Sequence, residues 1–98
     1  MNVWAIDKDI PLKLLLIEWV HRFGENSLRL NLAEAHFQAI ELMAVDEAEL
    51  RAYVYTFAQN AQRYGIDLKY PITAHNIIGG HENLSLEQTL TILETHFS

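Results

Sequence analysis

The chain has 98 residues, half of them hydrophobic and a fifth charged, which is the usage of one globular domain, 1–98, with a single core and no disordered tract. Thirteen acidic against seven basic side chains give a formal charge of −6, which disfavours nucleic acid and anionic membranes and favours a basic protein partner. The absence of cysteine excludes disulfides, thiol nucleophiles and thiolate metal sites.

The start, "MNVWAIDKDIP", has neither the basic end nor the apolar run of a signal peptide, and the longest apolar run, Leu14 to Ile17, is far short of a membrane span. A cytoplasmic location is expected. In "PLKLLLIEWVHRFG", Leu12, Leu15, Leu16, Trp19, Val20 and Phe23 fall on one helical face, with Pro11 in the first turn and Gly24 at the stop. Leu14 and Ile17 fall instead among Lys13, Glu18 and His21, on the side expected to meet water. They are either covered by another segment or form a contact surface for a second chain, which makes this first helix the candidate seam of a homodimer.

Beyond "GENS", the residues Leu28, Leu30 and Leu32 alternate with polar neighbours and allow a short strand. Asn31 followed by Glu34 resembles a helix cap, which predicts a second helix from about Leu32 to Val45 that buries Leu32, Ala39, Ile40 and Met43. Asp46 with Glu49 repeats the pattern, and Leu50, Tyr53, Val54, Phe57, Ala61 and Tyr64 then predict a third helix closed by Gly65, with Tyr55 on its polar side as a candidate binding anchor.

The period changes in "IDLKYPIT", where Ile66, Leu68, Tyr70 and Ile72 alternate like a strand, Pro71 confining it to an edge. Thr73 to Ile78 allows one helical turn before Gly79 and Gly80 break the chain. Ser85 with Gln88 caps a last helix that buries Leu86, Leu90, Leu93 and Phe97. The expected class is therefore mainly α, a compact four-helix domain with an irregular 65–84 connector. The alternative is α+β, with a small sheet from segments near Val3, Leu30 and Leu68.

Candidate chemistry is sparse. His75, His81 and Glu82 surround the Gly-Gly pair, but two histidines on a flexible bend make a poor metal site, and none is assigned. Glu18 and His21 have the Glu-x-x-His spacing of di-iron bundles without a second copy. His36 falls on the apolar side of the predicted second helix, as a structural residue first and a pH-sensitive one second. No phosphate loop, nucleophile elbow or dinucleotide fingerprint occurs, and no cofactor is assigned.

These features favour a small non-enzymatic protein-interaction module, a regulator, adaptor, immunity or antitoxin-like protein. Its expected partner-binding residues are Leu14, Ile17 and Tyr55, with Glu47 and Glu49 facing a basic partner. A small enzyme or ligand-binding domain using His36 or the His75/His81 region is the second reading. A degenerate helix-turn-helix over "HFQAIELMAVDEAELRAYVYTF" is the third, weakened by the carboxylates that open its recognition helix.

Overall fold

The computed structural model describes residues 2–71 and 77–98, with 77–80 by backbone alone. After a short 3-10 turn, Val3–Ala5, the chain forms helix α1 (Ile10–Phe23) and then five strands: β1 (Arg29–Leu30), β2 (Ala39–Met43), β3 (Arg51–Tyr55), β4 (Tyr64–Lys69) and β5 (Ile77–Leu84). Helix α2 (Leu86–Phe97) ends it. The strands form one antiparallel meander in the order β1-β2-β3-β4-β5, so each pairs with its sequence neighbour.

The fold is thus α+β, and the four-helix expectation is overturned. Of the small-sheet alternative, Leu30 and Leu68 do lie in strands, Val3 lies in the 3-10 turn, and the sheet has strands that the alternative lacked. The predicted second helix is a loop followed by β2, and the predicted third helix contains the β2–β3 turn, all of β3, the β3–β4 turn and the first residue of β4. The helix-turn-helix reading falls with them.

The local physics explains the difference. Asn31 and Glu34, which resemble a helix cap, satisfy turn amides two residues on instead: Asn31 Oδ1 accepts from Ala33 N at 3.0 Å and Glu34 Oε1 from His36 N at 3.1 Å, and in the next turn Glu47 Oε1 accepts from Glu49 N at 3.1 Å. The segments between these turns are rich in aromatic and branched side chains and lie extended.

Register divides the side chains between two faces. Ile40, Val54 and Ile66 are aligned across β2, β3 and β4, as are Leu42, Ala52 and Leu68. These six are buried and share one cluster with Leu12, Leu15, Leu16 and Trp19 of α1 and Leu90 and Leu93 of α2. Both helices therefore cover the same face. The opposite rows are Met43, Arg51, Lys69; Glu41, Tyr53, Asp67; and Ala39, Tyr55, Gly65. Among the described residues no helix packs on that second face.

Both helices have the ends that the sequence predicts. Asp9 caps α1, its Oδ1 accepting from Ile10 N at 2.9 Å while Oδ2 accepts from Thr56 Oγ1 at 2.9 Å and Gln38 Nε2 at 3.2 Å, which ties the helix start to the ends of β2 and β3. Gly24 ends it at φ 96°, and the Trp19 indole donates to Ser27 Oγ across the following turn at 2.7 Å. Ser85 and Gln88 form a reciprocal capping box on α2. Leu86 and Phe97 are half-buried at the rim of the core.

The expected bend at Gly79 and Gly80 is corrected too, since both lie within β5. The pairing of β4 with β5 shifts register twice, between Tyr64 and Ile66 and between Ile66 and Leu68. Near the first shift Asn83 sits at φ 52° and is tied to the β3–β4 turn, accepting from Asn60 N at 2.9 Å and donating its own N–H to Gln59 Oε1 at 2.5 Å.

Candidate partner-binding surface

The second face of the sheet owes its character to one strand. Along β3 and just beyond it, Tyr53, Tyr55 and Phe57 stand at i, i+2 and i+4, a spacing that points all three to one side. Tyr53 and Tyr55 have centroids 6.0 Å apart, Tyr55 stacks on Phe57 at 4.6 Å with 20° between planes, and Phe57 meets the His36 ring at 5.0 Å. The result is a continuous row of four rings.

Tyr55 forms the floor of this row and is 7% exposed. Its ring lies over Gly65 of β4, where a β-carbon would come within 2.2 Å of it. Tyr53 and Phe57 are half-buried, and His36 is exposed. His36 does not line an apolar helix face, as the sequence predicts. It stands in the loop before β2, where its Nδ1 accepts from Gln38 N at 3.0 Å, leaving the proton on Nε2.

Charge is unevenly spread over the face. At one end Arg51 pairs with Glu41 at 2.8 Å, and Lys69 lies 3.7 Å from Glu49. Asn31 also donates to Glu41 at 2.8 Å. Around the rings the balance is negative. Burial and then the Glu34, Asp67 and Glu41 carboxylates push the Tyr53 phenol above its ordinary pKa; burial and then Asp67 and Glu82 do the same to Tyr55. Among the described residues no cationic side chain pairs with Asp67 or Glu82.

The other expected site residues lie apart. Leu14, 45% exposed, is on the outer side of α1 with Ile10, 61% exposed, beside an open cleft of about 610 Å³ that Pro11, Tyr64 and Leu86 also line. Ile17 is half-buried against the core. Glu47 and Glu49 are exposed in the β2–β3 turn, at the far end of the sheet face from Phe57.

Glu18 pairs with Arg22 at 2.9 Å, which also bridges to Glu87 of α2, and His21 is exposed. His75 lies outside the described residues. His81 stands in β5 opposite Ile66, and Glu82 follows it in the strand. Among the described residues no three histidines or carboxylates converge as metal ligands.

Sequence reasoning missed Tyr53, Phe57 and His36 as one unit. The signal was the alternation in "YVYTF", which a helical frame scatters around a wheel and an extended frame gathers on one side. No family model, curated protein or solved structure matches the chain. None of the helices among the described residues is long and apolar enough to cross a membrane.

Proposed function

We propose that the protein is a non-enzymatic protein-interaction module that receives its partner on the face of the sheet opposite the helices. The observation that carries this reading is the aromatic row His36, Phe57, Tyr55 and Tyr53 on a face that no helix packs against among the described residues. Aromatic side chains bring much contact area at little conformational cost, and they are enriched where proteins bind one another. The formal charge of −6 favours a basic partner and disfavours nucleic acid.

A photo-crosslinking phenylalanine analogue placed at position 53, with position 21 on α1 as the control, tests this in cells of the native host. A defined protein adduct at 53 that is absent at 21 is the expected result. Adducts from α1 alone, or from neither position, overturn it.

A second reading rests on Ile10 and Leu14, an exposed apolar pair one turn apart on α1 beside an apolar cleft. It is self-association through α1. Light scattering on the eluting protein then gives a dimer that Leu14→Glu splits, whereas a monomer before mutation removes this reading.

A further inference from the structure

The chemistry of the sheet face narrows the partner further, on the footing of the interaction role proposed above. We propose that the aromatic end of the face binds an extended basic segment of a partner protein, with arginines at alternate positions laid over the ring row and paired with Asp67 and Glu82.

Three observations carry this. The first is the length of the row. Tyr53 to Phe57 spans four residues of extended chain, roughly 13 Å at about 3.3 Å per residue. That is too long for one small cation, and it matches a strand-like segment whose same-side residues recur about every 6.6 Å. The Tyr53 and Tyr55 centroids lie 6.0 Å apart, close to that repeat, while Phe57 stacks more tightly on Tyr55 at 4.6 Å.

The second is charge. Asp67 stands directly across from Tyr53, and Glu82 acts on Tyr55 from the β5 side, neither paired with a cationic side chain among the described residues. Arg51 and Lys69 lie one row further toward the β2–β3 turn and already face Glu41 and Glu49, and the Lys8 ammonium at the His36 end is held by the Glu34 and His36 carbonyls at 2.8 and 2.7 Å. A cation bound over Tyr53 and Tyr55 therefore meets carboxylates and rings, and one row further toward the β2–β3 turn it meets other cations, which fixes the position as well as the sign.

The third is ring chemistry. A guanidinium is planar, stacks on aromatic faces and forms paired hydrogen bonds to a carboxylate, while an ammonium is a compact, strongly hydrated charge. A row of rings edged by carboxylates suits the former.

The test titrates isotope-labelled protein with three capped heptapeptides, Gly-Arg-Gly-Arg-Gly-Arg-Gly and its lysine and glutamate counterparts, following the backbone amide resonances. The arginine peptide is expected to shift amides at 34–36, 53–57, 65–67 and 82 with saturation, and the lysine peptide to bind at least threefold more weakly. The glutamate peptide shifts nothing. Asp67→Asn, at a half-buried position, and His36→Ala, at an exposed one, each weaken the arginine peptide at least threefold, and raising the salt from 50 to 500 mM weakens it further.

No saturable shift at millimolar arginine peptide overturns the proposal. So does equal binding of the lysine peptide, or a response spread evenly over all acidic positions including Glu47 and Glu49. If the peptides fail while position 53 still gives a specific adduct, the cation chemistry falls and the interaction role stands. If both fail, both fall.

Discussion

Gly65→Ala is the sharpest stability test of the ring row. A β-carbon at position 65 would lie 2.2 Å from Cε2, 2.3 Å from Cζ and 2.7 Å from the hydroxyl oxygen of Tyr55. Carbon atoms in favourable contact sit about 3.5–4.0 Å apart, so the ring has to retreat by more than about 1 Å. It has little room to slide, because Phe57 is stacked on it at 4.6 Å and Tyr53 stands at 6.0 Å. The alternative is a new rotamer that swings the ring into water.

Overpacking of this kind costs about 1–3 kcal/mol, and a lost aromatic pair about 0.5–1.5 kcal/mol. Replacing glycine by alanine returns about 0.4–1 kcal/mol by restricting the unfolded chain. The net expectation is a loss of about 0.5–4 kcal/mol, centred near 2 kcal/mol, which at about 4–8 °C per kcal/mol for a chain of this size is roughly 8–16 °C in Tm at the centre. Thermal melts followed by circular dichroism give the first number.

The double variant with Tyr55→Ala gives the deciding one. Once the ring is absent the clash is absent, so the two substitutions are coupled by about 1 kcal/mol or more. A neutral or stabilising Gly65→Ala, together with additive behaviour in the double variant, would refute the placement of Tyr55 over Gly65.

Two further predictions concern other parts of the fold. His96 on α2 is 8% exposed, its Nε2–H donates to the Arg51 carbonyl at 2.8 Å, and its ring packs edge-on against Tyr70; burial lowers its pKa from the ordinary 6.5, while the Arg51 and Lys69 carbonyls oppose the shift. A lowered folded-state pKa means that the unfolded chain takes up this proton first, so the contribution is complete above about pH 6.5 and is lost as pH falls below it. Denaturant melts from pH 7.5 to 5 should show the stability gap between the wild type and His96→Gln shrinking over that range, and a constant gap contradicts it. Ala58, in the β3–β4 turn, sits at φ 56°, a region that costs a residue with a β-carbon about 1–2 kcal/mol, so Ala58→Gly should be neutral or raise stability by up to about 1 kcal/mol in urea melts; a loss of more than 1 kcal/mol would contradict it.

The two helices were legible because their signals are local. The 3.6-residue stripe of α1 and the reciprocal Ser85 and Gln88 cap of α2 need nothing from the rest of the chain. The strands were hidden because "LRAYVYTF" satisfies two periods at once. Leu50, Tyr53, Val54 and Phe57 fit i, i+3, i+4, i+7, while Ala52 and Val54 alternate with Arg51, Tyr53 and Tyr55. What decides between them is pairing with β2 and β4, which no short window contains.

Asn31 and Glu34 deepened the error, because side chains that cap a helix equally well close a turn. The candidate site followed the fold. Tyr55 was visible alone as an aromatic among polar neighbours, but its companions Tyr53 and Phe57 belong to the apparent core stripe until the segment is laid out as a strand. Leu14 could be found because its helix could be found.

The lack of cysteine makes the claim that, among the described residues, the helices cover only one face of the sheet directly measurable. Met43→Cys puts a thiol on the face opposite the helices and Ala52→Cys puts one beneath them, two conservative changes on adjacent strands. In native buffer a thiol-reactive probe should label the first, at a half-buried position, at least a hundredfold faster than the second, which lies in the core. Equal protection of both thiols would show that both faces are covered, and equal reactivity would show that the helices do not close the core as described.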